Sequence, residues 1–195
     1  MPTSPWKTSR ALLSGRLRGR SVPKPPGPET AAEPSEIAAD RELTLYSQQP
    51  GHVVAVTGRC LVEVCVDRTT ATTISLVRRA LGDLAERYDT FGYLCLFEPG
   101  APITLPADLR EGVNAYVRRY SARFTGAAIV FESQGFQATV VRSRVTAVNV
   151  ASRATHPTEV FDNLRAGCNW LSRLTPGAPT APRLFELTNQ LRKTE

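Results

Sequence analysis

Hydrophobic positions along this chain switch repeatedly between the spacing of a strand and that of a helix. Leu43 and Leu45 alternate with polar residues, His52-Val-Val-Ala-Val is nearly all apolar, and Arg59 to Val66 (RCLVEVCV) reads as a strong strand. Thr57-Gly58 supplies a turn between the last two, so a β-hairpin or meander opens the ordered part of the chain near Glu42. From Thr70 to Tyr88 the period lengthens. Ile74, Val77, Leu81, Leu84 and Tyr88 share one face, with Arg78, Arg79, Asp83, Glu86 and Arg87 opposite, and Thr69 or Thr70 is the expected N-cap.

Gly92 to Phe97 (GYLCLF) has the unbroken apolar character of a strand buried on both faces. A helix is expected from about Pro106 to Ala122, with Leu109, Val113, Tyr116, Val117 and Tyr120 as its stripe. Thr125 to Phe131 is the next strand. Alternating strands and helices imply right-handed crossovers and a parallel inner sheet. Gly135 to Ser152 is ambiguous. Its β-branched residues favour a strand, but Ala138, Val141, Val145 and Val148 keep helical spacing, and the alternation of elements favours the helix. Glu159-Val-Phe adds a short edge strand. Asp162 is expected to cap a final helix with Leu164, Cys168, Leu171 and Leu174 inside. The fold class is therefore α/β: a mixed sheet with a parallel inner core, an N-terminal β-hairpin and about four helices.

Composition divides the chain of 195 residues into three parts. Residues 1–40 are rich in Pro, Ser, Ala and Arg, a composition that buries too little surface to offset its ordering entropy. Residues 41–174 form the α/β domain, and 175–195 are a linker followed by a loosely attached amphipathic turn or two. Deleting residues 1–40 is accordingly expected to leave the melting temperature unchanged. A measurable drop in a thermal scan would move the domain boundary.

The formal charge of +6 changes meaning when it is placed. Residues 1–28 carry Lys7, Arg10, Arg16, Arg18, Arg20 and Lys24 and no acid, so the rest of the chain is balanced. The folded part has no basic field to hold phosphates, and nucleic acid is not an expected partner for it. Peripheral membrane contact, if any, falls to the basic tail. Arg outnumbers Lys by 21 to 3, which reads mainly as codon bias. Cys60, Cys65, Cys95 and Cys168 form no CxxC pair. With His52 and His156 as the only histidines, they fit no zinc motif and are expected to be reduced core residues of a cytoplasmic protein. No metal or cofactor is expected.

Searching for catalysis finds no nucleophile with motif context, no P-loop and no dinucleotide fingerprint. Glu63, Glu98 and Glu132 lie on or just after predicted strands. Of these, Glu98 and Glu132 are placed to converge at the C-terminal sheet edge, where open α/β sheets take their ligands. Thr104, Ser133 and Gln134 fall in the same set of loops, and Arg142 lies in the helix that follows. These six residues form the candidate partner- or ligand-binding site. No catalytic residue is assigned.

Leu61-Val-Glu-Val before Asp67, the Gly92-Tyr-Leu-Cys-Leu-Phe strand, Gly135-Phe136 with Arg142, and Val160-Phe161 with Trp170-Leu171 carry a family resemblance. Over residues 42–174 the order of elements resembles the STAS-like fold of anti-sigma-factor antagonists, especially its SpoIIAA-like (STAS/SEC14-type) bacterial relatives. In the antagonist branch a phosphorylatable Ser or Thr follows an Asp at the start of a helix. Here Glu98 to Asp108 holds no Asp-Ser or Asp-Thr pair, and Thr104 is the nearest hydroxyl, a weak phosphoacceptor candidate that also reads as a plain N-cap. The resemblance implies a non-enzymatic protein-interaction or regulatory module with a protein partner or self-association. Its SEC14-type relatives supply the alternative, a domain for a small apolar ligand or lipid. A well-filled core with an exposed hydrophobic strip would fit the first, and a large apolar cavity between sheet and helices the second.

Overall fold

The computed structural model describes residues 43–49, 51–102, 105–132 and 136–193. The N-terminal tail, Thr104, Ser133, Gln134 and Gly135 lie outside the described residues, as do the side chains of residues 136–138. In chain order the elements are β1 (Leu43–Gln49), β2 (His52–Thr57), β3 (Cys60–Cys65), α1 (Ala71–Arg87), β4 (Phe91–Phe97), α2 (Ala107–Tyr120), β5 (Phe124–Phe131), α3 (Phe136–Ser152), β6 (Thr158–Phe161), α4 (Leu164–Leu174) and α5 (Ala181–Arg192).

The six strands form one sheet in sequential order. β1, β2 and β3 pair antiparallel, and β3 to β6 pair parallel. The β2–β3 hairpin closes through Gly58-Arg59, with Gly58 at φ +51, the left-handed conformation that a two-residue hairpin turn requires at its first central position. Its register follows from that turn: Thr57 faces Cys60, and each step back adds a pair until His52 faces Cys65.

The crossovers β3–α1–β4, β4–α2–β5 and β5–α3–β6 each advance the sheet in the same direction. Right-handed crossovers that all advance one way place their helices on one face. One core lies on that face, with Val54, Leu61, Phe91, Ile129 and Phe131 from the strands meeting Val77, Leu81 and Leu84 of α1. The opposite face meets α4 and α5 in a second core built on Val62, Leu94, Leu96, Leu164, Leu171 and Leu184.

The two faces are filled differently. Gly126 of β5 and Gly167 of α4 let α4 lie directly on the sheet. A Cβ at Gly126 would stand 2.9 Å from Trp170 Cη2, and one at Gly167 would stand 2.7 Å from Val130 Cγ2. On the other face α3 packs against α2 and β6. Val141 is its one described hydrophobic residue that is fully buried, and Val145 and Val148 are half-buried. Space is left beneath it.

Local chemistry agrees with most expectations and shifts some. Thr70 caps α1 in a reciprocal capping box with Thr73. α3 is a helix, as the alternation of elements required. The cap of α4 is Asn163, not Asp162: its side chain accepts from Ala166 N at 2.8 Å. Leu174 is 38% exposed rather than inside. A fifth described helix joins the four expected ones, because the C-terminal segment is a full helix that seats Leu184 and Leu191 in the second core and also buries Leu187 and Thr188.

Candidate functional site

On the α1–α3 face, alternate residues of the strands point toward the helices. Almost all are apolar, but His52 of β2 and Glu63 of β3 are also placed there and are buried at 5% exposure each. A lone buried carboxylate is costly, so its partners decide whether the site is tolerable. Glu63 Oε1 meets His52 Nε2 at 2.7 Å, and Tyr93 of β4 donates its hydroxyl to Glu63 Oε2. Cys65 Sγ lies 3.7 Å from Glu63 Oε1, 3.9 Å from His52 Nε2 and 3.9 Å from Cys95 Sγ. The hairpin register brings these groups together: His52 faces Cys65, and Glu63 is two residues along on the same face.

Burial acts to raise the Glu63 carboxyl, but the hydrogen bond and charge of His52, with help from Tyr93 and Cys65, outweigh it and hold the group below the usual carboxylate range. Its neighbours move the other way. Contact with Cys95 and burial push the Cys65 thiol well up, and burial followed by nearby acidic groups does the same for the Tyr93 and Tyr116 hydroxyls. The Cys65 contact acts to lower Cys95, but burial and the Glu63 charge leave it raised. The site thus favours the ionised form of Glu63 beside thiols and phenols held in their protonated forms.

Above this cluster lies a half-open cavity of about 860 Å³, bounded by the sheet, α1, α2 and α3. Glu63, Cys65, Tyr93 and Cys95 line its floor. Ile74, Val77, Val113, Val117, Ile129 and Val148 are among its apolar walls, and Arg68, Arg110 and Arg144 also line it. Thr158 contributes a buried hydroxyl without a hydrogen-bond partner among the described residues. His156 lines the cavity with its ring 4.8 Å from that of Phe124, and burial lowers its pKa.

The residues singled out from sequence are distributed differently. Glu98 and Glu132 do converge at the C-terminal ends of β4 and β5, where Arg192 of α5 clasps them. Its Nη2 donates to Glu98 Oε2 at 2.7 Å and to Glu132 Oε2 at 3.0 Å. Glu132 Oε1 also accepts from the backbone of Leu164 at 3.2 Å, at the start of α4. This pair of carboxylates thus serves an internal ion-pair network that holds the end of α5. Arg142 is exposed on α3 and does not line the cavity, whereas Arg144 does. Thr104, Ser133 and Gln134 lie outside the described residues. The cavity-floor cluster was not assembled from sequence, although its signal was there: counting back from the Gly58-Arg59 turn sets His52 against Cys65, with Glu63 on the same face.

No protein-family model, curated protein or solved structure matches this chain. No helix among the described residues is long and apolar enough to cross a membrane.

Proposed function

We propose that the chain is a small-molecule-binding domain whose cavity takes a predominantly apolar ligand bearing a hydrogen-bonding group. The cavity of about 860 Å³ carries this reading. Ligand sites are typically concave, roughly 300–1,000 Å³, mostly apolar and set with a few convergent polar groups. Here those groups are the Glu63–Tyr93 pair on the floor and the unpartnered Thr158 hydroxyl. Glu63, as an ionised acceptor, selects a ligand that donates a hydrogen bond. The reading assigns no catalytic step. It favours the ligand-binding alternative over the protein-interaction module, and within the STAS-like resemblance it corresponds to the SEC14-type relatives.

The test uses the uncharged fluorophore N-phenylnaphthylamine with the full chain. Saturable binding with one site per chain is expected. Ala127→Phe, which fills the cavity from β5, and Val148→Trp, which fills it from α3, are each expected to abolish that binding while far-UV circular dichroism stays unchanged. Absence of saturable binding to the wild-type chain, or binding undiminished in both folded variants, would refute the reading.

A further inference from the structure

The floor cluster has a property that ligand binding does not require. One nitrogen, one oxygen and one sulfur donor, from His52, Glu63 and Cys65, lie within 4.8 Å of one another. A tetrahedral zinc ion holds such donors at about 2.0–2.3 Å, which sets sulfur–nitrogen and sulfur–oxygen separations near 3.5 Å and nitrogen–oxygen separations near 3.3 Å. The observed values are 3.9, 3.7 and 2.7 Å. Each differs by a few tenths of an ångström, within reach of side-chain torsions. His52 Nδ1 is buried without a partner among the described residues, so the ring's side-chain hydrogen bonding is through Nε2, the atom turned toward the other two donors.

We propose that His52, Glu63 and Cys65 bind one divalent transition-metal ion of the zinc class, with its fourth coordination position open to the cavity. The donor set chooses the metal. A thiolate disfavours magnesium and calcium, and a mixed nitrogen, oxygen and sulfur set suits zinc or cobalt(II). Charge favours the same outcome: a thiolate and a carboxylate offset a divalent cation, so the occupied site is neutral within an apolar wall. On binding, the Cys65 S–H bond breaks, its proton leaves to solvent, and the electron pair makes the metal–sulfur bond. The N–H bond at His52 Nε2 that faces Glu63 Oε1 breaks, the freed lone pair binds the metal, and by proton exchange with solvent the neutral ring keeps a single proton, on Nδ1. Glu63 Oε2 keeps the Tyr93 hydroxyl. Because Nδ1–H has no protein acceptor among the described residues, the imidazole lacks the outer support that strengthens metal-binding histidines, and the ion is exchangeable.

Cys95 does not compete by forming a disulfide. Cys65 pairs with Phe97 and Cys95 with Glu63, an offset of two residues across neighbouring strands. Their Cα atoms are thus about 8 Å apart by strand spacing and rise, beyond the roughly 7 Å that a disulfide spans. Cys65 stays a thiol and available to the metal.

The experiment titrates the untagged, chelator-treated full chain with cobalt(II). One equivalent is expected to develop thiolate-to-cobalt charge-transfer absorption and to be displaced by zinc. Cys65→Ser is expected to lose the band, and Cys60→Ser to keep it. X-ray absorption at the cobalt edge of the wild-type chain needs no variant and should show one sulfur in the first shell. A shell of nitrogen and oxygen only, or a band kept by Cys65→Ser and lost by Cys60→Ser, would overturn the assignment, as would no cobalt binding by the folded chain. Fluorophore binding is measured on the metal-free chain, so the ligand reading can fail or survive separately.

Discussion

Glu63→Leu is expected to lower the stability of the metal-free chain by about 3–5 kcal/mol, the range seen when one partner of a buried ion pair is removed. The cause is what it strands. His52 and the Tyr93 hydroxyl both bond to Glu63 in the core, and neither would find a replacement among the apolar residues around them. Ordinary domains hold roughly 5–15 kcal/mol in total, so the variant should melt about 10 °C or more below the wild type. His52→Leu alone is expected to cost a similar amount by exposing Glu63 to the core without its partner. The double variant is expected to recover a large part of both losses, because removing a whole buried pair in favour of packed hydrocarbon is often neutral. Additive losses in a urea-denaturation double-mutant cycle would show that the pair is not the unit argued here.

The same carboxylate sets a pH dependence. Glu63 is held below its ordinary value by His52 against the opposing effect of burial, and His52, Cys65, Tyr93, Cys95 and Tyr116 are the titratable groups that face it. A group whose pKa is depressed on folding contributes stability that is complete above its unfolded value, about 4.3, and lost as pH falls through the folded value. The chain should therefore lose stability on the acid side of that window, and Glu63→Gln should flatten that part of the curve.

How much of this was legible in the sequence depends on how local each cause is. Strand and helix placement rests on periodicity and on crossover handedness, both written into consecutive residues. Even the ambiguous segment that becomes α3 was settled by the order of its neighbours. The cavity floor was legible in principle, because a two-residue hairpin turn fixes every pair behind it. Reading β2 and β3 only as apolar strands hid the three polar residues they bring together. The cavity itself was not legible. It exists because α3 stands off the sheet while α4 presses onto Gly126, and that contrast depends on side-chain volumes from elements far apart in sequence. The Arg192 clasp was equally hidden, since its partners lie 94 and 60 residues away in sequence. A segment read as a loose turn gave no reason to look for it.

That clasp leads to the other large effect. Ending the chain after Gly177 is expected to abolish the cooperative thermal transition. The truncation removes α5, whose Leu184, Leu187 and Leu191 are all at least 95% buried. Each leucine contributes about 1.5–3 kcal/mol when fully buried, so the three together approach the whole stability of an ordinary domain. The cut also leaves Glu98 and Glu132, two carboxylates drawn together by Arg192, without their cation. Removing that cation alone is a milder change: the ion pairs are partly exposed, and Arg192→Ala is expected to cost about 1 kcal/mol. Leu184→Ala, at a fully buried position, should cost about 2–5 kcal/mol. The order truncation, then Leu184→Ala, then Arg192→Ala follows directly from burial. A truncated chain that melts cooperatively within a few degrees of the full-length protein would place the domain boundary near residue 174, where the sequence pattern alone had put it.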